Sequence, residues 1–207
     1  MKTTIKNFSF VQLLRISYYS LQLKKMIDLK QIDSDWTLFL DRDGVINHEK
    51  YLDYIHKWEE FVFYEGVKEA IQIFAQKFRY IFVVTNQKGV ARGLTKEADL
   101  LTIHRNMADE IAKAGGRIDK VYYCGDLDET SPNRKPNPGM GLQAKKEFPL
   151  ISFDKAIMVG NTLGDMEFGR NLGTKTVFLP TTKPNTDLTD SRIDAVYPSL
   201  FQFATAL

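Results

Sequence analysis

The segment WTLFLDRDGVIN, residues 36–47, decides the fold. Its apolar run Thr37–Leu40 predicts a short strand that is buried on both faces. Two carboxylates, Asp41 and Asp43, leave this strand directly, and Gly44 then allows a sharp turn of the backbone. Two acids cannot lie at the end of a buried strand without partners, and in an open α/β sheet ligands bind at the carboxyl ends of the strands. The pair therefore predicts a functional site.

Length and composition indicate an ordinary globular protein. The 207 residues suit one domain with a substantial core, and contents of 43% hydrophobic and 26% charged residues are typical of soluble proteins. A formal net charge of +2 gives no indication of a nucleic-acid or membrane partner. Cys124 is the only cysteine, which excludes an internal disulfide and favours a reducing, cytoplasmic location. No apolar run approaches the roughly 18 residues that a membrane span needs.

The start of the chain reads as an extension. It contains lysines around an apolar middle, as a signal peptide does, but Arg15 interrupts the apolar stretch and no small-residue cleavage site follows. A short amphipathic helix, or a true start at Met26, explains the segment better. We expect an extension over residues 1–34, either partly disordered or a wrongly assigned start, and one folded domain over residues 35–207.

Strand and helix patterns alternate through that domain. The aromatic-rich connection over residues 47–64 is too long for an ordinary loop and predicts a functional loop or flap. After it, the patterns predict strands over residues 80–84, 121–124, 156–160 and 174–180. They also predict helices around residues 67–74, from a Thr95 cap to about Ala114, over residues 140–147, and up to Leu172. This alternation predicts an α/β fold, a Rossmann-like parallel sheet with helices on both faces. The sequence pattern after Pro180 does not determine the secondary structure of the tail.

Polar side chains follow the predicted strands where they end. Because parallel strands end at the same edge of a sheet, these side chains should converge; they are Asp41, Asp43, Thr85, Asn86, Arg134, Lys135, Asn161 and Asp165. A carboxylate can attack phosphorus, and Mg²⁺ held by oxygens can offset the repulsion between carboxylates and phosphate. A lysine and a hydroxyl can stabilise the equatorial oxygens of the transition state. The set therefore favours phosphoryl transfer.

Each pattern alone also has an ordinary structural explanation. Paired aspartates are common at surfaces, Thr-Asn is a usual turn pair, a proline-rich loop can be merely rigid, and GNTLGD can simply start a helix. Their occurrence in this order, each at a predicted strand end, favours one shared site.

Together the four segments resemble a known set of motifs. DRDGVIN, VVTNQKGVARG, RKPNPGM and VGNTLGDM look like the signature motifs of the haloacid dehalogenase-like (HAD) phosphatases. TNQKGVARG and RKPNPGM are similar to the branch that holds the D-glycero-D-manno-heptose 1,7-bisphosphate and histidinol-phosphate phosphatases. The resemblance covers roughly residues 35–180 and implies a HAD-like fold without a large cap domain.

The resemblance also implies roles for individual residues. Asp41 would be the nucleophile and Asp43 the general acid and base, while Thr85 and Lys135 would hold the phosphoryl group. Mg²⁺ would be bound by Asp41, the Asp43 carbonyl and the residue after Gly160, which here is Asn161, with Asp165 as a nearby acid. The residues expected to contact substrate are Arg42, Asn86, Gln87, Arg134 and Thr162.

Two departures from the family pattern stand out. The branch usually carries a zinc loop of cysteines and a histidine before RKP, but this chain has only Cys124 there. We therefore expect no zinc, and a loop held by Pro132, Pro136 and side-chain hydrogen bonds. The second departure is Asn161, where the family usually has a metal-binding aspartate. The three histidines lie elsewhere and are expected at the surface or in packing; they are His48, His56 and His104.

The resemblance predicts a cytoplasmic, Mg²⁺-dependent phosphomonoesterase that works through an aspartyl-phosphate. Its substrate would be a small phosphorylated metabolite, first of all D-glycero-D-manno-heptose 1,7-bisphosphate of lipopolysaccharide heptose synthesis. Histidinol phosphate is the alternative substrate, and a non-catalytic phosphate-binding protein is the alternative class. We expect no nucleic-acid or membrane partner, and a monomer or weak homo-oligomer.

Overall fold

A computed structural model describes residues 27–207, and its centre is a six-stranded sheet in which all neighbouring strands are parallel. The strands are β1 (Thr37–Leu40), β2 (Tyr80–Asn86), β3 (Lys120–Cys124), β4 (Ala156–Gly160), β5 (Lys175–Phe178) and β6 (Ala195–Val196). Their order is β3-β2-β1-β4-β5-β6. The central strand β1 pairs Leu38 with Ile81 of β2 on one side and with Ile157 of β4 on the other.

Helices cover both faces of this sheet. In the described part of the chain they are α1 (Val67–Lys77), α2 (Lys88–Ala91), α3 (Glu97–Lys113), α4 (Gly139–Glu147), α5 (Leu163–Leu172) and α6 (Leu200–Thr205). Alternate residues of each strand point to opposite faces. Leu38 and Leu40 therefore join a core with α1, α3 and α6, whereas Phe39 joins a second core with α4 and α5. This arrangement confirms the predicted α/β fold, and residues 27–207 contain no second folded layer that could serve as a cap domain.

Several strand and helix boundaries differ from those predicted from the sequence. Strand β2 continues to Asn86, and β5 is confined to Lys175–Phe178. The predicted cap at Thr95 is wrong: α3 begins at Glu97, and the Thr95 hydroxyl lies 2.9 Å from His56 Nδ1 instead. The undetermined tail supplies β6 and α6, and α6 packs Phe203 against Phe74 of α1.

The long connection after β1 forms a small folded flap. His48 N donates to the Val62 carbonyl at 2.9 Å, and Tyr64 N donates to the Ile46 carbonyl at 3.0 Å, so the ends of the segment pair with each other. Phe61 packs against Trp58 and Phe63 at centroid distances of 5.1 and 5.0 Å. The aromatics therefore mostly stabilise the flap.

The described chain begins before the expected domain boundary. Ile32 is buried in the larger core, and Ile27 and Leu29 pack against it. The folded domain therefore includes residues that precede position 35. The expectations about a signal peptide, an amphipathic helix and a start at Met26 lie outside the described residues. Within residues 27–207 no helix has the length and apolar character needed to cross a membrane.

Candidate active site

The predicted site residues meet at the carboxyl edge of the sheet. Strand order reverses between β1 and β4, and such a switch point opens a crevice beyond the strand ends. A cleft of about 410 Å³ lies there. The predicted residues in its wall are Asp41, Asp43, Thr85, Asn86, Arg134, Lys135, Asn161, Thr162 and Asp165.

Asp41 lies at the bottom of this cleft. Its backbone N–H donates to the Val159 carbonyl at 2.9 Å, which fixes its position beside β4. Its Oδ1 accepts a hydrogen bond from Lys135 Nζ at 2.8 Å. Burial raises the pKa of Asp41 to about 7; Lys135 opposes the increase, and the Asp165 carboxylate adds to it. The carboxylate is therefore poorly solvated and reactive toward a cationic or electrophilic partner.

Lys135 is held by a second carboxylate. Its Nζ donates to Asp165 Oδ1 at 2.6 Å, and although burial opposes the shift, the two carboxylates raise the pKa of this lysine. The other oxygen of Asp165 accepts from the Thr162 hydroxyl at 2.7 Å and the Thr162 N–H at 3.0 Å, which completes a capping box on α5. Gly160 permits this close approach, since a Cβ there would lie 2.2 Å from the Asp165 Cβ.

Asp43 has a different environment, because donors surround its carboxylate. Arg42 Nη2 donates to both oxygens at 2.9 and 2.8 Å, Asn47 Nδ2 donates to Oδ1 at 2.9 Å, and Gln87 Nε2 donates to Oδ2 at 2.8 Å. Burial alone would raise the pKa of Asp43, but the Arg42 charge and these hydrogen bonds lower it overall. Asp43 therefore rests in the ionised form.

Residues at the end of β2 organise the opposite wall. Gln87 Nε2 also donates to the Thr85 hydroxyl at 2.8 Å, so one amide positions both Thr85 and Asp43. Asn86 exchanges two hydrogen bonds of 3.0 Å with the backbone N–H and carbonyl of Lys135. These amides fix the loop that carries Lys135 and leave Thr85 and Lys135 at the cleft.

Three oxygens around Asn161 suit a hard cation. With the Asn161 oxygen turned toward Asp41 and the Asp43 carbonyl, three acceptors converge without a donor, and Nδ2 donates to the Thr182 hydroxyl at 2.6 Å. With the amide reversed, Nδ2 donates to Asp41 Oδ2 at 3.3 Å and to the Asp43 carbonyl at 3.2 Å. Oxygen donors of this kind are the ligands that Mg²⁺ prefers. Gly44 makes the approach possible, because its φ is +83° and a Cβ would lie 2.1 Å from the Asn161 amide nitrogen.

The other two acids predicted at the metal have their side chains engaged elsewhere. Both oxygens of Asp165 are bonded, by Lys135 and Thr162, and the Asp43 carboxylate is bonded by its own donors, so Asp43 offers its carbonyl. Within residues 27–207 no cluster of three or more histidine, cysteine or acidic side chains is arranged to hold a metal.

The loop before α4 is held by amide side chains. Besides the two Asn86 bonds, Asn171 Nδ2 donates to the Pro136 carbonyl at 2.9 Å, and Asn137 Nδ2 donates to the carbonyls of Glu129 and Ser131, both at 2.9 Å. Cys124 is buried, which raises the pKa of its thiol. A neutral buried thiol is a poor metal ligand.

Some residues expected to contact substrate are engaged with protein instead. Arg42 is only 1% exposed and bonds Asp43, so its predicted contact with substrate does not fit its position. Asn86, Gln87 and Thr162 use their polar atoms on Lys135, Asp43 and Asp165, as described above. Sequence reasoning missed four other residues that line the cleft, namely Glu49, Tyr54, Lys88 and Lys183. Glu49 and Tyr54 belong to the flap, for which the length of the connection was the available signal.

Comparison with known proteins identifies the family. A family model described as polynucleotide kinase 3 phosphatase matches residues 29–198. A D-glycero-alpha-D-manno-heptose-1,7-bisphosphate 7-phosphatase of Campylobacter jejuni is 43% identical over 142 residues, which are 69% of this chain and 80% of that protein. The chain belongs to the HAD-like phosphatases. It is therefore a phosphoric monoester hydrolase by family.

Other HAD-like phosphatases agree in sequence and fold. A phosphatase of the same name from Mycobacterium bovis is 34% identical over 173 residues, covering 83% of this chain and 91% of that protein. The crystal structure of the D,D-heptose 1,7-bisphosphate phosphatase of B. bronchiseptica, complexed with magnesium and phosphate, matches with a TM-score of 0.74 and 27% identity. The match covers 83% of this chain and 97% of the B. bronchiseptica chain.

Proposed function

We propose that this HAD-like phosphatase is a Mg²⁺-dependent phosphomonoesterase that removes the 7-phosphate of D-glycero-D-manno-heptose 1,7-bisphosphate. The observation that carries the proposal is the position of Asp41, whose carboxylate lies between Lys135 Nζ and the oxygens of Asn161 and Asp43. A carboxylate so placed faces a cation-binding oxygen cluster on one side and a phosphate-binding lysine on the other. The names of the relatives support the heptose substrate.

In the first step the Asp41 carboxylate attacks phosphorus. A P–O bond forms to Asp41, the P–O bond to the sugar breaks, and the sugar oxygen takes a proton from Asp43. Asp43 rests ionised, so it must first gain that proton; the negative phosphate beside it raises its pKa as substrate binds. Lys135 and the Thr85 hydroxyl donate to the equatorial oxygens.

In the second step water releases the phosphate. Asp43, now a carboxylate, takes a proton from the attacking water, whose oxygen forms a P–O bond while the P–O bond to Asp41 breaks, which frees the Asp41 carboxylate and inorganic phosphate. The Asp165 carboxylate holds Lys135 in place through both steps, because it bonds Nζ at 2.6 Å.

Asp41, the Asp43 carbonyl and Asn161 would hold the Mg²⁺ ion. When bound, Mg²⁺ neutralises the charge of carboxylate and phosphate and favours the ionised form of Asp41, whose pKa is otherwise near 7. Asn161 contributes an oxygen without a charge, so we expect weaker Mg²⁺ binding than at a site with two ligating aspartates.

Cations beyond Lys135 support a bisphosphate substrate. Arg134, Lys88 and Lys183 line the same cleft from three different parts of the chain. In the described part of the chain no carboxylate lies within 4.0 Å of any of these three side chains. One phosphate bound at Asp41 would leave these charges available for a second anionic group, and Arg134 can bind it through paired N–H donors.

A substrate panel tests the proposal. Purified protein with Mg²⁺ should turn over p-nitrophenyl phosphate slowly and the α or β anomer of the heptose bisphosphate with the highest kcat/KM. Histidinol phosphate and a 3′-phosphorylated oligonucleotide serve as competing substrates. Preference for either would overturn the proposed substrate, and no turnover of any phosphate ester would identify a binding protein.

Arg134→Ala extends the same test. We expect kcat/KM for the bisphosphate to fall by about tenfold or more, with a smaller loss for p-nitrophenyl phosphate, because only the bisphosphate has a second anion. Arg105→Ala removes an exposed arginine of α3 and is the control. Equal losses on both substrates would favour a monophosphate.

A further inference from the structure

Helix α3 places a histidine on its buried, otherwise apolar face. The other buried residues of the helix are Leu100, Ile103, Met107 and Ile111, and His104 lies among them with 5% exposure. A buried imidazole costs free energy unless its polar nitrogens find partners, whereas a leucine would fill this position without that cost. His104 therefore requires a polar partner.

That partner is Arg42. His104 Nε2 lies 3.1 Å from Arg42 Nη1. Arginine remains protonated in proteins and can only donate, so Nε2 must accept and the imidazole must be neutral, with its proton on Nδ1. Burial and then the Arg42 charge lower the pKa of His104 to about 3, which agrees with the neutral form.

The other edge of the same guanidinium holds Asp43. Arg42 Nη2 donates to both carboxylate oxygens, and Nε lies 3.3 Å from Oδ1. Arg42 is nearly inaccessible to water, so its N–H groups must be satisfied by protein. Without the acceptor on His104, Nη1 would be a buried, charged donor with no partner, and the guanidinium would turn away from its present orientation.

We infer that His104 is a positioning residue for proton transfer, because it fixes the guanidinium of Arg42 and thereby the carboxylate of Asp43. The inference rests on the proposed function, in which Asp43 protonates the leaving oxygen. Asn47 and Gln87 also bind Asp43, so the carboxylate would stay in the site without His104 but lose its exact orientation.

Two variants separate this role from simple packing. His104→Leu suits the apolar face but removes the acceptor, whereas the amide oxygen of His104→Gln can accept from Arg42. Met107→Leu, on the same buried face, is the packing control. The quantity to measure is kcat/KM, because it reports the steps up to departure of the leaving group.

Two substrates reveal the proton transfer. A sugar phosphate needs a proton on its leaving oxygen, while p-nitrophenolate leaves without one. We expect His104→Leu to lower kcat/KM about tenfold or more for the sugar phosphate and by less than about threefold for p-nitrophenyl phosphate, since general acid catalysis contributes about 10²–10⁴-fold in full. His104→Gln should recover most of the loss. Equal losses on both substrates, no loss, or a Gln variant as impaired as the Leu variant would overturn the inference.

A second readout does not depend on turnover. The guanidinium N–H signals of Arg42 in ¹⁵N NMR should exchange slowly in the wild type and His104→Gln, and broaden in His104→Leu. If the wild type hydrolyses no phosphate ester, the proposed function fails while this measurement still tests the contact. Unchanged Arg42 signals in His104→Leu would overturn the positioning role.

Discussion

At the scale of single residues, Asp41 and Asp43 carry the same carboxyl group in opposite environments. Burial raises the pKa of Asp41 to about 7, whereas Arg42 and two amides lower the pKa of Asp43 despite its burial. Without a cation or substrate, Asp41 therefore takes up a proton before Asp43 does as the pH falls. A cation beside Asp41 and a phosphate beside Asp43 would reverse this order, which turns Asp41 into a nucleophile and Asp43 into an acid.

Replacing each carboxylate should have a different effect. Asp41→Asn should abolish turnover because it removes the proposed nucleophile, while the thermal midpoint stays near or above the wild-type value. Asp43→Asn should lower kcat by about 10²–10⁴-fold, the usual contribution of a general acid or base. Steady-state assays with p-nitrophenyl phosphate and the heptose bisphosphate measure both. Substantial activity of a clean Asp41→Asn preparation would exclude the covalent mechanism.

Asn161 would set the charge of the proposed cation site. Asn161→Asp adds a negative ligand, and the Thr182 hydroxyl, which accepts from Asn161 Nδ2 in the wild type, can donate to the new carboxylate, so the Mg²⁺ concentration for half-maximal activity should fall. Calorimetric Mg²⁺ titration checks the affinity directly. Thr182→Ser, which keeps the hydroxyl, is the control. An unchanged Mg²⁺ requirement would show that Asn161 is not a ligand, and activity that appears only in Asn161→Asp would mean that the wild type is a binding protein.

At the scale of elements, the loop before α4 shows how amides can hold a segment without a metal. Asn86 bonds both backbone groups of Lys135, so it fixes the lysine that contacts Asp41. Each such buried hydrogen bond costs about 1–3 kcal/mol when one partner is removed. The loop is therefore anchored directly to the strand that carries Thr85.

This anchoring predicts a metal-free loop. Purified protein should contain no stoichiometric zinc, and Cys124→Ser should remain active, because the thiol is neutral and buried. Asn86→Ala should lower kcat/KM by about tenfold or more, since Lys135 loses both backbone contacts. Elemental analysis and steady-state kinetics provide the measurements. About one zinc per chain, lost in Cys124→Ser together with activity, would contradict the prediction.

The elements also show what the sequence could predict. Strands β1, β2 and β4 have continuous buried apolar runs and β3 carries the shorter run Val121–Cys124, so these strands and the polar residues near their carboxyl ends were recognisable. Strand β6 has two residues and α6 has six, which is too short for a periodic signal. The Thr95 cap failed because a competing partner, His56, takes its hydroxyl. The contact between Arg42 and His104 joins residues 62 positions apart, and no local pattern encodes it.

At the scale of the whole molecule, the site depends on both cores. Residues of β1 face the α1–α3–α6 core and the α4–α5 core alternately, so Asp41 leaves a strand that is fixed on both faces. Nearly all its partners come from other parts of the chain, including Lys135 from the loop before α4 and Asn161 after β4. The site is therefore a product of the assembled sheet and cannot form from one element.

The stability of this assembly should depend on pH through His104. The folded state keeps the imidazole neutral down to a pKa of about 3, whereas the unfolded chain protonates it near 6.5. Between pH 6.5 and about 3 the unfolded state thus binds more protons than the folded state, so the free energy of unfolding falls as the pH drops through this range. Below about pH 3, His104 is protonated in both states and the free energy of unfolding no longer changes through it. Between pH 7.5 and 5.5 the wild type should lose about 1.4 kcal/mol more than His104→Gln, whose side chain does not titrate. Urea unfolding of both proteins across this range measures the difference, in which the contributions of other groups cancel. Parallel stability curves for the two proteins would mean that His104 titrates normally in the folded state, and that its nitrogen does not serve as a permanent acceptor for Arg42.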